Sequence, residues 1–136
     1  MLVLNNFTHD ARVHKEAKTL AAADYNVTVV ALWQQSLQET EMQDGYQVKR
    51  LKLHSRPWRG RLIAPLIKYA EFARRVQQLA RQHPTDIYHA NDANTLPAAW
   101  LAARRNNAAL IYDAHELETG RNFGNSRLAS IYPLMA

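Results

Sequence analysis

Residues 86–113 read DIYHANDANTLPAAWLAARRNNAALIYD, and this stretch decides the fold. Asp86 to His89 (DIYH) is a short run read as a strand. Thr95 or Asn94 caps the helix that follows; Pro97 sits in its first turn, and Arg104 and Arg105 lie near its C-terminal end, where the helix dipole favours cations. Asn106-Asn107 stops that helix, and Ala109 to Tyr112 (ALIY) is a second strand. Strands that alternate with helices in this way pair in parallel.

The same alternation extends toward the N-terminus. Arg61 to Gln82 carries Leu62, Leu66, Tyr69, Ala73, Val76 and Ala80 at helical spacing; Pro65 kinks or restarts its first turn, and His83-Pro84 ends it. Tyr46 to Leu53 reads as a strand after a polar stretch containing Asp44-Gly45, and its imperfect alternation places it near a sheet edge. Asn26 to Leu32 (NVTVVAL) is a β-branched strand. Ala11 to Ala23 is a helix with one apolar stripe, Val13, Ala17, Leu20 and Ala21. Leu2 to Leu4 is a short buried strand, followed by the polar turn Asn5 to Asp10. The fold class is therefore α/β: a doubly wound, Rossmann-like parallel sheet, buried on both faces, with strand order 3-2-1-4-5. Neither an internal repeat nor a linker divides residues 1–136, so they form one domain.

Composition narrows the chemistry. At 136 residues and 47% hydrophobic, the chain can bury a core. It has no cysteine, which excludes a disulfide framework, a thiolate zinc site, an iron–sulfur cluster and a cysteine nucleophile, and points to a reducing cytoplasm. There is neither a run of about eighteen apolar residues nor the basic and apolar regions of a signal peptide. The net charge of +5 is local: nine basic residues and one acid, Glu71, lie between Lys49 and Arg75. With Trp58, Tyr69 and Phe72 among them, residues 49–75 suit a peripheral contact with an anionic membrane or a phosphate-bearing substrate, or else form a solvated helix face. Nucleic acid is not an expected partner, because no recognised binding module is present.

In a doubly wound sheet, ligands bind at the carboxyl ends of the strands. Asn5, Asn6, His9, Asp10 and Arg12 follow the first strand; His89, Asn91, Asp92 and Asn94 follow the fourth; Asp113, His115 and Glu116 follow the fifth. The proposed order makes these strands neighbours, so the three polar clusters converge. The first turn lacks the glycines of a dinucleotide fingerprint, and no Walker loop exists. None of Ser36, Ser55, Ser126 and Ser130 lies in a GxSxG elbow. Histidines 9, 89 and 115 with aspartates 10, 92 and 113 imitate a metal site, but without an HxH or HExxH pairing no metal is expected. His115 is the most suggestive residue, since it can donate or accept a hydrogen bond near neutral pH; the alternative is a histidine satisfied by a backbone carbonyl. Asp113 and Glu116 flank it and suit sugar hydroxyls, or else a loop turn and a helix cap.

FTHDARVHKEAKTLAAADYNVTVVAL (7–32), DIYHANDANTLPAAWLAAR (86–104) and ALIYDAHEL (109–117) resemble the N-terminal domain of retaining GT-B glycosyltransferases of family 4, also called group 1. The resemblance runs from about Leu2 to Leu117 and rests on a combination in order: Asp-x-Arg-Val with Lys-Glu-Ala, His-x-x-Asp with Leu-Pro-Ala-Ala, and Tyr-Asp-x-His-Glu. It implies an acceptor-binding half that closes on a C-terminal half holding a nucleotide-diphosphate sugar, and transfer of that sugar with retention to a glycan or lipid-linked acceptor. His115 then approaches the donor sugar as the catalytic residue. The loop with Asn6, Asp10 and Arg12, the segment with His89, Asn91 and Asp92, and Asp113 and Glu116 line the cleft. Neither metal nor cofactor is implied if basic side chains hold the diphosphate; those side chains and the E-x7-E motif belong to the second domain, which this sequence lacks.

The departures shape the remaining expectations. The first strand begins almost at Met1, and the tail Leu128, Ile131, Tyr132, Leu134, Met135 stops on an apolar pattern, so both ends look cut and the half is expected to be inactive alone. Asp24 stands where relatives carry the glycine that ends the first helix. Two rivals share the architecture: a non-enzymatic flavodoxin-like binding module, and half of a nucleotide-sugar epimerase.

Overall fold

The described residues form eight elements in chain order: α1 (Ala11–Ala22), β1 (Thr28–Leu32), β2 (Thr40–Gln43), β3 (Tyr46–Leu51), α2 (Ile63–Gln82), β4 (Ile87–Asn91), α3 (Leu96–Asn106) and β5 (Ala109–Asp113). They are seen in a computed structural model that describes residues 1–55 and 63–114. Two parallel pairs carry the sheet: β1 beside β3, with Val29 opposite Val48, and β4 beside β5, with Tyr88 opposite Leu110. Leu2 joins them through parallel bridges to Val30 and Ala90. Its N–H donates to the His89 carbonyl at 2.8 Å, and its own carbonyl accepts from the Asn91 N–H at 3.1 Å. The order is thus β2–β3–β1–Leu2–β4–β5, the expected 3-2-1-4-5 arrangement with one strand added at the edge.

Each face of the sheet has its own core. Val13 and Ala17 of α1 pack with Val3, Phe7, Val29, Ala31, Tyr46 and Val48. Phe72, Val76 and Ala80 of α2 and Ala98, Ala99, Ala102 and Ala103 of α3 pack with Leu2, Val30, Tyr88 and Ala90 on the other. Helices on both faces make the sheet doubly wound and Rossmann-like. Among the described residues, no helix is long and apolar enough to cross a membrane.

Several expectations are corrected. The first strand contracts to bridges at Leu2, because the Asn5–Phe7 turn starts at once: Asn5 Oδ1 accepts the Phe7 N–H at 2.8 Å. The strand at Tyr46 does lie near the sheet edge, but an unforeseen strand, β2, lies outside it, since Asp44 (φ 42°) and Gly45 (φ 89°) turn the chain into a hairpin. Asp-Gly is a strong hairpin signal, but TEMQ has no buried face to reveal its strand. Thr95 begins α3 without a side-chain cap; its hydroxyl donates to the Asp92 carbonyl at 3.0 Å instead. The sheet is not buried throughout, since Ile111 and Tyr112 of β5 are exposed. In the 49–75 segment Phe72 and Arg50 are buried, whereas Leu66, placed in the core stripe, is exposed. Trp58, Arg56, Arg59, Arg61 and Leu62 lie outside the described residues.

Candidate functional site

The loop from Asn5 to Asp10 is held by its own side chains. Asn5 Nδ2 donates to Asp10 Oδ2 at 3.1 Å, and Asp10 Oδ1 caps α1 by accepting the Val13 N–H at 3.2 Å. One oxygen of Asp10 therefore starts the helix and the other ties it to the loop. Asn6 Nδ2 donates to Gln34 Oε1 at 2.6 Å, and its Oδ1 accepts from the Thr8 hydroxyl at 2.8 Å, which also meets His9 Nδ1. Phe7 is buried at φ 55°, a conformation costly for a bulky residue that the hydrogen bond from its N–H to Asn5 Oδ1 and its edge contact with Tyr46 sustain. Asn5, Asn6, His9, Asp10, Ala11 and Arg12 line a depression of about 390 Å³. A larger cavity, about 730 Å³, opens toward the amino ends of the strands at Thr28, Thr85 and Ile87 and reaches His89.

Three elements meet beside this loop. Arg12 of α1 forms an ion pair with Asp113 at the end of β5, across 101 positions of sequence. Glu16, one turn along α1, places Oε1 3.4 Å from Nδ1 of His89. Burial holds the His89 imidazole below its usual range, with the Glu16 carboxylate pulling the other way. A neutral imidazole keeps one ring nitrogen as a donor and leaves the other as an acceptor. Among the described residues, neither the Nε2 of His89 nor the Oδ1 of Asn91 finds a hydrogen-bonding partner, though both atoms are buried. Buried polar atoms left in this state are expensive, and a site that receives a ligand is where they recur.

The structure thus joins Arg12, His89, Asn91 and Asp113, and sets Asn6 and Asp10 in the adjoining loop. His89 and Asn91 do not follow their strand, as expected, but lie within it: β4 runs to Asn91, both are buried, and Asn91 stands opposite Asp113. Asp92 comes next, at φ 114°, a strained conformation for a side-chain-bearing residue. Asn94 is exposed. His115 and Glu116 lie outside the described residues. Sequence reasoning missed Glu16, although its spacing of four from Arg12 on one helix face was the available signal.

Donor atoms of Glu16, His89 and Asp113 lie within 4.8 Å of one another, a spacing a small cation would also accept. The Arg12 guanidinium already supplies positive charge there, on Asp113. The arrangement is therefore a polar junction in which one cation, Arg12, faces the carboxylates of Glu16 and Asp113, and it can orient hydroxyl groups by donating from arginine and accepting at imidazole, amide and carboxylate.

The family model for the glycosyl transferase 4-like domain matches residues 9–135. The chain belongs to the glycosyl transferase 4-like family. A search of curated proteins returns no match for it. The family match covers α1, whose Arg12 and Glu16 reach the junction, and the strands that bring His89, Asn91 and Asp113 to it. It makes this domain part of a transferase in general terms.

Proposed function

We propose that this glycosyl transferase 4-like domain is the acceptor-side half of a retaining, GT-B-type hexosyltransferase. It moves a sugar from a nucleotide-diphosphate donor to a glycan or lipid-linked acceptor and is inactive without a donor-binding half. The observation that carries the reading is the junction at the carboxyl side of the sheet, where Arg12 bonds Asp113 beside buried His89 and Asn91. Glycosyl transfer passes through an oxocarbenium-like state while a diphosphate departs, so the protein must orient groups and stabilise charge. A neutral His89 and the amide of Asn91 suit hydroxyl recognition without adding charge, while Arg12 is kept in place by Asp113. His115, two positions beyond Asp113, is assigned the approach to the donor sugar on the family resemblance, and Glu116 beside it the recognition of sugar hydroxyls; the donor is a substrate, and no metal or cofactor is invoked.

The test has two arms. The 136-residue chain incubated with nucleotide-diphosphate sugars should release no nucleoside diphosphate above background; turnover near an ordinary enzymatic rate of about 10 s⁻¹ would overturn the half-enzyme reading. In an enzyme joining these residues to a donor-binding half, His115→Ala and Asp113→Asn should each lower kcat/KM by about 100-fold or more with the circular dichroism unchanged. Unaltered kinetics in both variants would remove this junction from the site.

A further inference from the structure

The outer face of α2 is not that of a solvated helix. Phe72, Val76 and Ala80 satisfy the core, so the opposite face is expected to be polar. Instead Ile63 and Leu66 in the first turns are each 69% exposed. Ile63, Ala70, Arg74 and Arg81 are all exposed and lie at offsets of 7, 11 and 18, which is one stripe of a helix. Apolar side chains therefore lead into arginines along one outward face. The helix has a single acid, Glu71, and it does not balance them: its carboxylate accepts from the His54 N–H, the Ser55 N–H and the Ser55 hydroxyl. The sequence immediately before the helix, residues 56–62, adds Arg56, Arg59, Arg61 and Trp58 and no acid.

We propose that the outer face of α2, from Ile63 and Leu66 to Arg74 and Arg81, docks the protein on an anionic lipid surface. The two apolar side chains enter the acyl boundary, and the arginines meet the lipid phosphates. Charge decides the occupant: the stripe is cationic without an opposing acid, and its exposed apolar part is two side chains at one end, unlike the apolar centre of a protein interface. α2 follows β3 in a crossover, so its amino end lies at the carboxyl edge of the sheet, the edge that also holds Arg12 and Asp113. The inference does not rest on the transferase reading, although it would bring a lipid-linked acceptor to that edge.

Vesicle cosedimentation of the 136-residue chain tests it. Vesicles of phosphatidylcholine with phosphatidylglycerol should bind at least about tenfold more protein than phosphatidylcholine alone, and high salt should remove most of the difference. The double variant Ile63→Gln, Leu66→Gln should lower partitioning about tenfold. Arg74→Gln with Arg81→Gln should lose much of the dependence on phosphatidylglycerol, and Arg105→Gln on α3 should change nothing. All of these positions are exposed, so circular dichroism should match the parent. Equal binding to both vesicle types, or binding indifferent to both double variants, overturns the proposal. So does vesicle binding absent while an oligonucleotide is held, or a concentration-dependent dimer that Leu66→Gln abolishes.

Discussion

Glu71 sits where three donors converge, and its acidity follows. Burial would raise its carboxyl, but the hydrogen bonds from Ser55 and His54 outweigh that and bring it from an ordinary 4.5 to about 2. An unfolded chain binds this proton near pH 4.5 and the folded chain only near 2, so the group's stabilisation is complete above 4.5 and lost as pH falls through about 2. Glu71→Gln should therefore flatten the dependence of stability on pH in that window and cost about 1–3 kcal/mol at neutral pH. Urea denaturation at several pH values checks both; an unchanged acid limb would mean that other carboxylates control it. Little of this is legible in sequence, because Ser55 and Glu71 are joined only when α2 packs against the end of β3. Asp24 is the opposite case: the family resemblance sets it where relatives carry the glycine that ends the first helix, and its φ is 65°.

Among the elements, the β2–β3 hairpin depends on one buried cation. Arg50 is 4% exposed; it pairs with Glu41 at 2.7 Å and donates to the carbonyls of Gln38 at 3.0 Å and Asn6 at 3.1 Å. It therefore ties the edge strand to the loop that leads to Arg12. Arg50→Met preserves bulk but leaves two carbonyls without their donor and Glu41 with Gln43 as its remaining partner, and should cost about 2–4 kcal/mol. Hydrogen exchange should show β2 losing protection first, with β1 little changed; uniform loss across the sheet would refute the local role. In sequence Arg50 reads as one member of a basic surface run. Nothing local distinguishes it from Lys52, which pairs with exposed Glu39, since burial at this position is imposed by the edge strand folding over it.

For the whole molecule, Leu2 is the keystone of the sheet: it alone bridges β1 to β4 among the described residues, and it is 2% exposed between α2 and α3. Leu2→Ala should cost about 2–5 kcal/mol, chiefly from the cavity it leaves. The readout is a lowered urea midpoint together with chemical-shift changes on both sheet halves; changes confined to β1 would contradict a joining role. The same joining brings Arg12 to Asp113, so the candidate site inherits its geometry from this central seam.

Sequence alone determined the alternation of strands and helices, the order of the parallel strands and the stop of α3 at Asn106-Asn107. These follow from local periodicity, from backbone preferences and from the handedness of crossovers, all of which are properties of neighbouring residues. Tertiary structure alone decided that His89 and Asn91 are buried within β4, that Glu16 meets His89, that Arg12 is held by Asp113, and that Arg50 is buried whereas Arg74 is exposed. Burial and ion pairing depend on which distant elements close over a side chain, and spacing along the chain does not record that.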